Sequence, residues 1–143
     1  MKGQRIRGRF APSPSGRMHL GNLFSALLAW LSVRSAGGVL VLRMEDLDPD
    51  RCRPEYAAQL AEDLLWLGLD WDEGYGKGGP DGPYLQSERT ERYAAAFGRL
   101  EEMGLVYPCY CTRAERLAAS APHRSDGQAV YGGRCRDLTV EER

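Results

Sequence analysis

The sequence predicts an α/β fold, with parallel strands and flanking helices, followed by a small metal-binding insertion. Three observations predict it. Residues 5–10 are strand-like, and a helical apolar period takes over after Gly16. Val39-Leu-Val-Leu42 is a short continuous apolar run, typical of a buried parallel strand. Cys109 and Cys111 flank a single residue, and Cys135 follows a glycine turn further on.

The first strand stops at Pro12. Pro12 and Pro14 lack an N–H and hold the chain extended, and Gly16 lets it turn. Leu20, Leu23, Phe24, Leu27, Leu28 and Leu31 then recur at helical spacing to about Ala36, where Gly37-Gly38 forms a C-cap. Ala26, Ala29, Trp30 and Val33 fill other faces, so this helix is expected to be buried on most sides. Strand, helix and strand together make a right-handed βαβ unit. A second helix runs from Pro54 to Leu67, with Ala57, Leu60, Ala61, Leu64 and Leu67 inward, and stops at Gly68. Residues 70–83 read as a loop anchored by a buried Trp71. A third helix opens at Gln86 with Ser87 as its cap, turns Tyr93, Ala96, Phe97 and Leu100 inward, and ends at Gly104.

The chain has 143 residues, 43% of them hydrophobic, which is enough for one globular domain with a real core. Its formal charge of −1 gives no basic footprint, so composition does not point to nucleic acid. No apolar run spans a bilayer, and the N-terminal stretch lacks the apolar segment of a secretory signal. The default expectation is a cytoplasmic, reducing location without membrane partners. There, cysteines serve as free thiols or metal ligands rather than disulfides.

Chemistry concentrates at the strand ends. In open α/β sheets ligands bind beyond the carboxyl ends of the strands. His19 and Gly21 stand at a helix mouth, where free N–H groups and partial positive charge suit a phosphate. Arg9 ends the first strand, and Glu45, Asp46 and Asp48 follow the second. Glu45 is expected beside Arg9, in a ligand role. Asp48 is expected to cap the next helix. Tyr84 and Gln86 precede the third helix with little to mark them as site residues.

Zinc takes four ligands and prefers thiolate and imidazole. Cys109, Cys111 and Cys135 offer three, and His123 or Tyr131 could supply the fourth, with His123 the chemical preference. Free or buried thiols are the alternative reading. Cys52, between Arg51 and Arg53, reads as an exposed thiol. Thr112 and Glu115 form a capping box that opens a short helix, and the polar stretch 120–133 needs the metal to stay folded.

The run Arg9-Phe-Ala-Pro-Ser-Pro-Ser-Gly-Arg-Met-His-Leu-Gly-Asn22 resembles the HIGH signature of class I aminoacyl-tRNA synthetases in its glutamate-type form, with Asn22 where the general signature has a second histidine. Leu42-Arg-Met-Glu-Asp-Leu-Asp48, Leu67-Gly-Leu-Asp-Trp-Asp72, Gln86-Ser87 with Tyr93, and the Cys/Tyr cluster follow in order. Together they resemble the glutamyl-queuosine tRNA(Asp) synthetases, a family of shortened relatives of glutamyl-tRNA synthetase. The resemblance implies ATP-dependent activation of glutamate, with Mg2+, and its transfer to the queuosine base of tRNA(Asp). It implies a glutamate pocket lined by Arg9, Phe10, Ala11, Pro12, Ser13 and Glu45. ATP would lie on Pro12, His19, Gly21 and Asn22, with His19 and Asn22 catalytic. It also implies one zinc on Cys109, Cys111, Tyr131 and Cys135, so Tyr131 displaces His123 as the expected fourth ligand.

On this reading residues 1–104 form the first half of a class I synthetase Rossmann fold. Residues 105–137 form a zinc knuckle, and residues 138–143 start a helix announced by Thr139 and Glu142. The family's later Lys-Met-Ser-Lys-Ser-like loop is not in these residues. The resemblance therefore implies a truncated N-terminal part, inactive alone, of a protein that is a monomer at full length. A piece of glutamyl-tRNA synthetase and a non-catalytic zinc-stabilised nucleotide-binding module are the competing readings.

Overall fold

Two short strands, β1 (Arg7–Phe10) and β2 (Val39–Leu42), run parallel, with Arg7 opposite Val39 and Phe10 opposite Leu42. The computed structural model describes residues 5–112, 114–115 and 133–139. Helix α1 (Leu20–Ser35) makes the crossover between the strands. Its end is enforced by Gly37, whose φ of 60° continues no helix, and Val39 N–H then donates to Ile6 O to start the ladder. Helix α2 (Pro54–Trp66) follows, then β3 (Glu73–Gly74), parallel to β2, so the sheet order is β1-β2-β3. A 3-10 turn (Gln86–Arg89) leads into α3 (Thr90–Glu102). The chain divides into two compact units, Met1–Tyr93 and Ala94–Arg143.

The core of the first unit gathers Ala26 and Val33 of α1, Leu40 and Leu42 of β2, Ala57, Leu60 and Leu64 of α2, and Met44, Leu69 and Trp71. Each fully buried leucine contributes roughly 1.5–3 kcal/mol of transfer free energy, so α2 docks through Leu60 and Leu64. Leu67, expected inward, is the C-cap and is exposed. Trp71 is buried as expected, and its indole N–H donates to Tyr75 O. Gly8 packs directly on Val33, and Phe10 packs against the same core. By strand alternation Arg7 and Arg9 leave the opposite face. On that face Arg7 pairs bidentately with Glu73 at 2.9 and 2.6 Å and also reaches Asp81.

The aspartates of Leu67-Gly-Leu-Asp-Trp-Asp72 tie α1 to β2. Asp72 accepts the Leu40 N–H at 2.7 Å and Arg34 at 2.6 Å. Asp70 accepts the Trp30 indole N–H at 2.9 Å and Arg34 at 3.0 Å. The Trp30 bond, then Arg34, holds the Asp70 carboxyl below its usual range. For Asp72, burial pushes upward, but the Leu40 N–H and Arg34 outweigh it and the net direction is down.

Further expectations are corrected. Residues 70–83 are not only loop, because Glu73 and Gly74 add a strand at the sheet edge. Helix α1 is not buried on most sides: Leu20 is 82% and Phe24 59% exposed, and Leu27, Leu28 and Leu31 are exposed too, because the sheet covers one side of the helix only. No residue of α3 is buried, and Tyr93, Phe97 and Leu100 are exposed, because a periodic apolar face needs a partner as well as a period. Ser87 caps no helix and Asp48 caps none either. The α2 cap is Arg53, ahead of Pro54, while Asp48 accepts from the Asp50 and Arg51 N–H groups within its own loop.

Among the described residues no helix is long and apolar enough to cross a membrane.

Candidate active site at the carboxyl edge of the sheet

Three segments converge beyond the strand ends, and backbone hydrogen bonds set their spacing. Arg43 N–H donates to Phe10 O at 3.0 Å and Glu45 N–H to Pro12 O at 2.9 Å, which extends the β1–β2 pairing into the loop. On the other side Met44 N–H donates to Tyr84 O, and Gln86 N–H to Met44 O. Pro14 O accepts the Arg53 N–H at 3.2 Å. Pro12 and Pro14 are buried, and their carbonyls hold the loop while their rings offer no competing donor.

At the mouth of α1, His19 is the N-cap residue. Its Nδ1 accepts the Gly21 N–H at 3.1 Å, and Asn22 Oδ1 accepts the His19 N–H at 3.2 Å. This reciprocal cap has a chemical consequence. With Nδ1 an acceptor, the ring proton of the neutral imidazole sits on Nε2. An exposed His19 thus offers an N–H donor at a helix mouth whose His19, Gly21 and Asn22 N–H groups are taken up by the cap itself. Asn22 takes the capping task at the position of the second histidine in the general signature.

Glu45 is half-buried and bound from two sides. Arg43 donates from Nε and Nη2 to Oε1 at 2.8 and 2.5 Å. Gln86 Nε2 donates to Oε1 at 3.2 Å and Oε2 at 3.1 Å. The guanidinium on Glu45 is therefore that of Arg43, not Arg9, because the register, with Phe10 opposite Leu42 and the Glu45 N–H on Pro12 O, carries Glu45 past Arg9 to the level of Ser13. Arg9, Ala11 and Ser13 lie along the same edge, with Arg9 and Ser13 exposed. Next to Glu45, Asp46 accepts the Ser87 N–H at 3.0 Å and hydroxyl at 2.6 Å. Cys52 is half-buried rather than exposed, with its thiol 3.7 Å from Glu45 O. Arg43, Gln86 and the Asp46–Ser87 pair are the residues that sequence reasoning undervalued. Their spacing carries no signal, because the Gln86-Ser87 pair comes forty-one residues after Glu45 and Asp46 and lies beside them only through a parallel pairing.

In the second unit the Cys109, Cys111 and Cys135 sulfurs lie within 4.8 Å of one another, with Cys111 and Cys135 3.4 Å apart. A tetrahedral zinc with Zn–S near 2.3 Å sets sulfurs about 3.8 Å apart, so the three thiols fit such an ion. As thiols, the Cys135 contact and then burial push Cys111 up to about 11. The capping box forms as expected: Thr112 N–H and hydroxyl donate to Glu115 at 2.7 and 2.8 Å, and Glu115 N–H donates to Thr112 Oγ1. Tyr131, His123, the loop at 120–132 and the Glu142 end of the last capping box lie outside the described residues.

A parallel sheet, a crossover helix that opens at a capping histidine, and charged side chains past the strand tips define the first part of a Rossmann-type nucleotide-binding fold. The chain belongs to the class I tRNA synthetases (E and Q), catalytic domain, whose family model matches residues 5–143. It is 60% identical over 96% of its length to a glutamyl-Q tRNA(Asp) synthetase of Nitratidesulfovibrio vulgaris, and spans 43% of that relative. It is 49% identical to a glutamate–tRNA ligase of Symbiobacterium thermophilum, over 96% of this chain and 29% of that one. A crystal structure of a glutamate tRNA ligase from Elizabethkingia meningosepticum in complex with its amino acid matches 97% of the chain and 29% of the ligase. Its TM-score is 0.75 and its identity 34%. The chain thus spans less than half the length of these relatives.

Proposed function

We propose that this chain carries the amino-acid-activating edge of a glutamyl-queuosine tRNA(Asp) synthetase. The reaction joins glutamate to the α-phosphate of ATP, with Mg2+, and passes the glutamyl group to the queuosine base of tRNA(Asp). The observation that carries this reading is the meeting, at one sheet edge, of the Arg9–Pro12 loop, the histidine-capped mouth of α1 and the held carboxylate of Glu45. The 60% identity to a relative of that name supports the queuosine branch.

The roles follow from chemistry. Carboxylate attack on an α-phosphate develops charge on oxygens that are already anionic, so alignment and donors do most of the work. Arg9 binds a substrate carboxylate through two N–H bonds, which lysine cannot do. The backbone from Phe10 to Ser13 lines the glutamate, with the Phe10 ring held in the core behind it, and Glu45 takes the ammonium. His19 Nε2–H and the α1 end hold phosphate, Gly21 lets the nucleotide approach the backbone, and Asn22 keeps the helix mouth formed. Cys109, Cys111 and Cys135, with Tyr131, would hold one zinc, which supplies a structural crosslink in the second unit.

Calorimetric titration with a non-hydrolysable glutamyl-adenylate analogue tests the site. Wild type should bind, and Arg9→Ala should weaken binding roughly 100-fold, the cost of losing a charge-assisted pair. Absence of heat in wild type would favour a zinc-stabilised module without a ligand site. The glutamate–tRNA ligase relatives support a second reading, charging of tRNA(Glu). Transfer of glutamate to tRNA(Glu) rather than to queuosine-bearing tRNA(Asp) would decide for that one.

A further inference from the structure

We propose that Gln86 is a positioning residue that, together with Arg43, presents Glu45 Oε2 to a primary ammonium group on the ligand. The inference rests on the reading of Glu45 as the ammonium partner.

Gln86 is 5% exposed and is the buried polar side chain of the described core. Its Nε2 faces the Glu45 carboxylate, while its Oε1 is buried without a partner among the described residues. A side chain retained only for packing would not carry an orphan carbonyl, because leucine or methionine fills such a volume without one. The amide is therefore kept for its N–H. Its place is fixed by the backbone: Gln86 N–H donates to Met44 O, Met44 N–H to Tyr84 O, and Ser87 clasps Asp46.

The donors divide the two oxygens of Glu45 unequally. A carboxylate has about four lone-pair sites. Oε1 receives both Arg43 bonds and the longer Gln86 contact, so its capacity is filled. Oε2 receives Gln86 alone and keeps room for a further donor. The choice of an amide also matters electrostatically. A lysine or arginine at position 86 would orient the carboxylate but repel an arriving ammonium. Gln86 orients it and adds no charge.

The test compares two probes on the 143-residue chain. One is a sulfamoyl analogue of glutamyl-adenylate, and the other is its counterpart lacking the α-amino group. Wild type should favour the ammonium-bearing probe. Gln86→Met should cut that preference about tenfold, the value of a hydrogen bond to a charged group. It should leave affinity for the des-amino probe within about twofold, and its unfolding midpoint should match or exceed wild type. If methionine does not fold, Gln86→Leu gives the same readout. Equal loss of both probes, or an unchanged preference, overturns the proposal. Glu45→Gln separates the two ideas. If it abolishes the preference while Gln86→Met keeps it, the ammonium reading stands and the Gln86 role falls. If wild type shows no preference, both fall.

Discussion

The sheet edge and the thiol cluster place their reactive side chains by opposite means. At the edge, backbone ladders do the placing: Pro12 O, Pro14 O and Met44 O each receive an N–H from another segment. At the cluster, a local turn brings Cys135 up, with Gly133 at a φ of 76° and Arg136 N–H on Gly133 O, and side-chain contacts, Arg136 over the Tyr107 ring and Cys135 against Cys111, add to it. The edge joins unlike charges, with Arg43 on Glu45 Oε1, and leaves Oε2 to Gln86 alone. The cluster joins three like groups, and as thiols they hold Cys111 at about 11. A cation makes thiolates compatible, and binding it releases protons. Ladders preform a site before any ligand arrives, whereas a cluster of identical ligands is completed by what it binds.

Four measurements break or sharpen this contrast, in falling order of effect. Cys135→Ser should remove the zinc found by elemental analysis and open residues 105–135 to protease, while the adenylate analogue still binds. Bound zinc contributes on the order of 10 kcal/mol in small metal-dependent modules. A metal-free wild type resisting protease would defeat the zinc assignment.

Gly74→Ala attacks the ladder side. Gly74 has a φ of 117°, and an added Cβ would overlap the Leu42 carbonyl, a backbone atom that cannot step aside. Loss of about 3 kcal/mol in denaturant unfolding is expected, from strain plus overpacking. An unchanged midpoint would mean that β3 does not hold the sheet edge. His19→Ala removes the cap and the Nε2 donor together. It should destabilise by about 1 kcal/mol and weaken the adenylate analogue roughly tenfold. Asn at position 19 should recover stability but not affinity, since it caps without reaching the phosphate.

The smallest effect concerns acid. Asp70 and Asp72 are held below the ordinary carboxylate range, so the folded state binds their protons less well than the unfolded chain. Their contribution is fully present above about pH 4 and is lost as the pH falls below it. Asp72→Asn should cost about 1 kcal/mol at neutral pH, because these groups are partly exposed and screened by solvent. It should also flatten the acid limb of the stability curve, and an equally steep limb would place the acid-sensitive groups elsewhere.

Much of this was legible along the chain. The turn chemistry of Pro12, Gly16 and Gly37, and the change of apolar period from β1 to α1, placed the βαβ unit and the histidine at its helix mouth. The run from Arg9 to Asn22 carried the family. The apolar faces of α1 and α3 misled for one reason. Periodicity states which residues could be covered, and coverage depends on a partner surface: Phe24 and Phe97 stay exposed despite their spacing. Asp48 and Ser87 misled for another, since a short polar side chain near a helix start can equally serve a loop or a distant carboxylate.

By itself the sequence determined what is local: where strands stop, where the first two helices open, and which thiols fall within reach of one ion. Only the tertiary structure decided who meets whom across distance. It gave Glu45 to Arg43 and Gln86 rather than Arg9, and Asp46 to Ser87. The physical reason is register. A parallel pairing joins segments forty residues apart through backbone groups that every residue shares, so no side-chain letter announces the partner.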